Sequence, residues 1–146
     1  MMTFLIRTCR AFALLTLLLP ALVFAASFTG KVVSVSDGDT ILVLRDGRAE
    51  KVRLNGIDSP KLNQPYGQAA KRFVLQVAAQ QTVTVQVITT DRYGRTVGDV
   101  ILPDGRSLNQ DVVRAGYAWW YRKYSDDLVL AALEEEARGA RRGLWA

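Results

Sequence analysis

Past its first 25 residues, this sequence reads as a five-stranded β-barrel carrying helices, an α+β fold with one helix after the third strand and two at the C-terminal end. Three observations carry that reading. Valine-rich segments separated by Asp-Gly turns recur between residues 28 and 57. Residues 82–90 alternate polar and apolar side chains with a period of two. Helix signals appear only after the third strand and again near the end of the chain.

Residues 1–25 stand apart from the domain. Arg7 and Arg10 make a basic opening, residues 11–19 are apolar except for one Thr, and Pro20 leads to Val23-Phe24-Ala25. This is the pattern of a secretory signal peptide, with cleavage expected after Ala25. The apolar stretch to Ala26 is 16 residues long, short of the roughly 20 that cross a bilayer as a helix. A secreted or periplasmic protein is expected, monomeric and without stable membrane association once the signal is removed.

The domain then spans residues 26–146. Residues 28–36 carry Val32, Val33 and Val35, and Asp37-Gly38 turns the chain into a second strand over 40–44. Asp46-Gly47 turns it again into Val52-Arg53-Leu54, completing a meander. Pro60 and Pro65 bracket a loop over 59–66. Residues 67–79 read as a helix, with Ala69, Phe73 and Val77 at i, i+4 and i+8. After the 82–90 strand, residues 97–102 form another, ended by Pro103-Asp104-Gly105. Ser107-Leu108-Asn109-Gln110 is a capping box opening a short helix that stops at Gly116. A last helix is expected from near Ser125, where Asp126 and Asp127 suit the positive end of its dipole, to about Arg138. Glu134, Glu135 and Glu136 read as its wet face, with Glu134 opposite Arg138. Strands and helices in this order suggest a barrel of the OB type.

Composition narrows the chemistry. The chain has 146 residues, no histidine and one cysteine, Cys9, which leaves with the signal. Ser-His catalysis, imidazole-held zinc and thiolate metal sites are therefore excluded. The signal also takes Arg7 and Arg10, so the remainder carries 17 basic and 14 acidic residues, a net charge of +3. That balance permits a polyanionic partner without requiring one.

Three short segments concentrate charge: Asp37-Gly38-Asp39-Thr40, then the run from Arg53 through Asp58-Ser59-Pro60, then Asp91-Arg92-Tyr93-Gly94-Arg95. Singly, each passes as a turn or a solvated connection. Together they describe a site, because the start of a meander's second strand and the end of its third can share one end of a sheet. Asp39 and Asp58 would then converge and repel unless a cation lay between them. Oxygen donors alone point to Ca²⁺ or Mg²⁺. Arg53, read as lying on the same strand as Asp58, and Arg95, on a glycine-hinged turn, would add a grip for phosphate.

With these motifs in order, joined by Tyr66-Gly67 and by residues 109–116, the sequence resembles the thermonuclease family typified by staphylococcal nuclease, from Phe28 to Trp145. The resemblance implies an OB-fold and calcium-dependent hydrolysis of DNA and RNA that leaves a 3′-phosphate. It also implies that Asp39 and Asp58 ligate Ca²⁺ with the backbone carbonyl of Ser59, and that Asp37 stands just outside the metal. Arg53 and Arg95 match the family's phosphate-binding catalytic arginines. One position departs: the family usually places a water-activating Glu after the Pro, and here it is Lys61. An ammonium near pH 7 is protonated and accepts no proton. Lys61 is either an exposed loop lysine or a contact to substrate phosphate.

Aromatic residues supply the remaining candidates. In Trp119-Trp120-Tyr121, Trp120 is expected in the core, while Trp119 or Tyr121 could stack on a base, as could Tyr93. Three readings follow: an exported nuclease acting on DNA, RNA or both; a nucleic-acid-binding module weak in catalysis because of Lys61; and an interaction domain unrelated to nucleic acid. The first fits the most residues.

Overall fold

The computed structural model describes residues 26–146; the expected signal peptide lies outside the described residues. The elements are β1 (Ser27–Asp37), β2 (Thr40–Arg45), β3 (Arg48–Leu54), β4 (Ile57–Asp58), α1 (Gly67–Ala78), β5 (Thr82–Thr90), β6 (Thr96–Ile101), α2 (Leu108–Arg114), β7 (Trp119–Trp120), α3 (Leu128–Gly139) and a 3-10 turn at Gly143–Trp145.

Five of the strands close a barrel in the order β1-β2-β3-β6-β5, with β1 pairing back onto β5. This is the expected OB-type barrel. β1 makes closure possible because it serves two neighbours. Its first residues pair with β5, and from Val32 onward it pairs with β2 through two register shifts that bend it. β3 and β6 run parallel, Val52 opposite Thr96 and Leu54 opposite Gly98. A parallel pair needs a long crossover, and α1 and β5 supply it.

The inward side chains fill the barrel with branched residues: Val32, Ile41, Val43, Val52, Leu54, Val83, Val85 and Val100 are all buried. Each contributes about 1.5–3 kcal/mol on leaving water. Asp46 and Gly47 both have positive φ, 48° and 78°, so the tight turn between β2 and β3 is of the kind that matches strand twist.

Some expectations shift. The buried stripe of α1 is Gly67, Ala70, Val74 and Ala78, with Phe73 and Val77 half-buried at its edge. The three-residue pattern in the sequence therefore marked the flank of that stripe. α3 starts at Leu128, not near Ser125, because the Asp127 side chain caps it by accepting the Val129 N–H at 2.8 Å. Ser125 instead accepts the Asp127 N–H. Glu134 is not on the wet face: it is 1% exposed and clamped between Arg122 and Arg138 at 3.2 and 3.0 Å. A buried carboxylate needs such partners.

A second, two-stranded sheet was not anticipated. β4 pairs with β7, setting Ile57 opposite Trp120 and Asp58 opposite Trp119. Asp58 thus lies beyond a turn from β3, and not on the same strand as Arg53. Among the described residues, no helix is long and apolar enough to cross a membrane.

Asn109 fastens α2 to this end of the barrel. Its carbonyl accepts the Val100 N–H at 3.0 Å, and its amide donates to the carbonyls of Asn55 and Gly98 at 3.0 and 3.2 Å. Asn109→Ala strands these buried groups and is expected to cost about 3 kcal/mol. Urea unfolding checks this through a lower midpoint at unchanged slope.

Candidate functional site

Closing the barrel brings the β1–β2 turn against the chain that follows β4. Gly38 makes the approach possible: a Cβ there would stand 2.7 Å from the Ala70 Cβ and 2.9 Å from the Ser59 Cβ and Oγ. Asp39 consequently faces inward and is fully buried. One of its carboxylate oxygens accepts the Thr40 hydroxyl at 2.9 Å, and the other accepts the Ser59 N–H at 2.9 Å. Its carbonyl accepts the Leu54 N–H, its own N–H donates to Asp37, and so the turn, β3 and the 59–66 loop are tied at one residue.

Arg53 stands where the sequence suggested a cation. Its Nη1 lies 3.2 Å from Asp39 and donates to the Ile57 carbonyl at 2.8 Å, while Nη2 donates to Asp58 at 3.1 Å. The Leu54 and Ile57 carbonyls also accept from Nη1, holding the guanidinium beside the two carboxylates. One side chain thereby answers both acids.

The carboxylates still feel one another. Burial, and then the negative charge of Asp39, push the Asp58 carboxyl above its ordinary value against the pull of Arg53 and Lys61. Asp37 is raised in the same way, by burial and by Asp39. Burial pushes Asp39 up too, but the Arg53 guanidinium and the hydrogen bonds from Asp37 and the Ser59 N–H outweigh it and hold Asp39 low. Lys61, exposed on the loop, has its ammonium close enough to lower all three. Its backbone N–H donates to the Gln64 side chain at 2.7 Å, fixing the short loop.

This donor set fits a hard divalent cation. The carboxylates are oxygen donors in mutual repulsion, and the Ser59 hydroxyl beside them is buried with no partner among the described residues. Among the described residues no three acidic, His or Cys side chains gather closely enough to hold an ion unaided. A cation here would need non-protein oxygens besides what the chain can offer.

Of the other candidates, one is set directly beside this centre. Trp119 is set beside Asp58 by the β4–β7 register. Trp120 packs against the core, and Tyr121 donates its N–H to the Gly56 carbonyl and meets Tyr124 edge-on at 4.8 Å. Arg95 is not drawn into the cluster: its Nε holds Asp91 at 2.6 Å, and its guanidinium lies 5.5 Å from the Tyr93 ring. Tyr93 itself is 69% exposed. Glu50 on β3 accepts the Thr96 hydroxyl of β6 and pairs with Arg45 of β2.

A protein-family model described as staphylococcal nuclease homologue matches residues 51–146. The chain is 46% identical over 124 residues to an uncharacterized endonuclease of Escherichia coli O157:H7, covering 85% of this chain and 81% of that one. It is 37% identical over 147 aligned positions to a micrococcal nuclease of Shigella flexneri, covering 94% and 84%. Protein ParB of Escherichia coli is 40% identical, with coverage of 94% and 83%.

The Arg53 fork has a pH signature. Because Asp39 is held low, its charge stabilises the fold fully above the unfolded carboxylate value of about 3.9, and that contribution is lost as pH falls through the lower folded value. Asp37 and Asp58, held high, act in the opposite sense: their charges cost stability at neutral pH, and protonation as pH falls through their raised folded values relieves it. Arg53→Ala leaves Asp39 buried without a countercharge, an expected loss of about 3 kcal/mol at pH 7. The loss should shrink toward pH 3, as the stranded carboxyl takes a proton. Urea unfolding of both proteins at the two pH values measures the difference.

Proposed function

The chain belongs to the staphylococcal nuclease family, and on that premise we propose that it is an exported, calcium-dependent nuclease that cleaves DNA, RNA or both to leave a 3′-phosphate. It is a hydrolytic nuclease whose substrate is nucleic acid, and the family is generally metal-dependent. The observation that carries the finer reading is the Asp39–Arg53–Asp58 arrangement, two carboxylates and an arginine fork meeting at one end of the barrel.

In this reading Asp39 and Asp58, with the Ser59 carbonyl, hold Ca²⁺, which supplies Lewis-acid stabilisation of charge on the phosphoryl oxygen. Flexible coordination at longer distances suits a site with so few protein oxygens better than the strict octahedron of Mg²⁺. Arg53 already grips anionic oxygens of two separate groups with one guanidinium, and the same planar fork matches two oxygens of a phosphodiester. Arg95 joins by exchanging Asp91 for phosphate, and preorganised positive charge at a crowded phosphorus is the main catalytic resource. Trp119, Tyr121 and Tyr93 offer rings to sugar and base. Lys61 brings a positive charge to the position of the family's glutamate, so it attracts phosphate but activates no water. A missing general base lowers turnover by about 10²–10⁴-fold without abolishing it.

Cleavage by the protein should require Ca²⁺, fall steeply with Mg²⁺ and stop in chelator; equal rates with Mg²⁺ would refute the calcium assignment. Asp39→Ala and Asp58→Ala should lose calorimetric Ca²⁺ binding together with activity. Arg53→Ala and Arg95→Ala should lose turnover while still binding Ca²⁺.

Lys61→Glu should raise kcat and also raise KM, because a charge that attracts phosphate becomes one that repels it. Steady-state kinetics on one oligonucleotide separates the two effects. If Lys61→Glu and Lys61→Ala both abolish cleavage, Lys61 is itself a required substrate contact.

A further inference from the structure

Away from the carboxylates, Phe73 and Val77 of α1 and Ala115 after α2 floor an open groove of about 340 Å³. Three arginines stand along it. Arg106 and Arg114 share the single carboxylate of Asp111, at 2.8 and 2.6 Å, and Asp111 is only 6% exposed. Arg142 donates to the Arg114 carbonyl at 3.1 Å and to Glu136 at 2.9 Å. In all three arginines Nη2 makes no hydrogen bond among the described residues.

Two guanidiniums answering one buried acid leave positive charge facing the groove. The remaining acids do not cancel it firmly. Asp104, on Arg106, and Glu136, on Arg142, are each about half exposed, and ion pairs at such positions are weak and exchangeable. Phosphate suits what is left: planar forks on the rim for its oxygens, and the Phe73 ring in an apolar floor for a base or sugar.

The groove is also in line with the site. Ala70 lies under Gly38 at the catalytic turn, and Phe73 and Val77 follow it at i+3 and i+7 on the same side of α1. At 1.5 Å per residue they stand about 4.5 and 10 Å further along the axis. A strand leaving the carboxylate cluster reaches the groove within a few nucleotides.

We propose that this groove is a second phosphodiester-binding site, which holds the nucleic-acid strand beyond the segment being cut. The proposal rests on the nuclease reading for its ligand, and on its own residues for the site.

The test is binding in chelator, where no cutting is expected, using fluorescein-labelled single strands of 12 and 3 nucleotides read by anisotropy. Arg106→Gln with Arg142→Gln should weaken the 12-mer about tenfold and flatten its salt dependence by roughly 0.7 per arginine in the log–log slope. Affinity for the 3-mer should stay unchanged, and with Ca²⁺ the variant should show higher KM on the long strand at equal kcat. Urea unfolding of the double variant with a midpoint near wild type shows that the loss is not one of folding.

Unchanged 12-mer affinity and slope in the double variant overturn the proposal, as does an equal loss on the 3-mer. Wild-type binding of a polyglutamate peptide that the double variant loses, with nucleic acid unaffected, would assign the groove to an acidic protein instead and also overturn it. A wild-type protein that binds the 12-mer through these arginines yet cuts nothing leaves the groove standing and removes the nuclease reading.

Discussion

A carboxylate shut away from water has to be answered from inside the protein, and Asp39 is answered from three directions at once. The Thr40 hydroxyl comes from its own strand, the Arg53 guanidinium from β3, and the Ser59 N–H from the loop beyond β4. Each partner fixes a separate piece of chain, so the burial of one charge sets where the others lie. Gly38 belongs to the same constraint, since only a residue without Cβ lets the turn settle between Ala70 and Ser59. The energetic logic is that of a buried ion pair: its net contribution is modest, but removing either half is severe. The arrangement is therefore better understood as specifying geometry than as supplying stability.

That geometry places Arg53 in tension between two uses. As the structure stands, the guanidinium is largely occupied by Asp39, Asp58 and backbone carbonyls. As a phosphate grip it would have to share itself with a new anion. Lys61 bears on this balance, because its charge acts on the same three carboxylates from the loop. Where the resemblance leads one to expect an additional negative charge, the cluster has a positive one, and the local field is correspondingly kinder to anions. In the proposed reading, a residue that cannot accept a proton would instead strengthen attraction for a phosphate.

Much of the barrel was legible because its signals are local. Alternation located Thr82–Thr90 to the residue, and the Asp-Gly pairs located the turns; at Asp46-Gly47 both residues have the positive φ that selects those residue types. What was missed depends on distant partners. A two-residue strand such as Ile57–Asp58 has no period of its own and exists because Trp119 and Trp120 lie alongside. Glu134 looked like a surface residue because nothing in its neighbourhood announces that Arg122, twelve residues earlier, folds over it. The site was half legible: the convergence of Asp39 and Asp58 followed from the meander, but not the bridging guanidinium. Arg95 matched a motif by position, yet Asp91, four residues before it, is the nearer partner and holds it.

The parallel pairing of β3 with β6 and the partnership of β4 with β7 have a consequence in time. Neither contact can form until the chain is made well past its middle, and the strand beside Asp58 is supplied by residues 119–120 of 146. Contacts so far apart in sequence form late, after a large loss of chain entropy. During synthesis, the acids and the arginine that meet at the barrel's end are therefore made long before the strands that close around them. A nucleic acid nearby would meet no completed end of the barrel until residues 119–120 have been added.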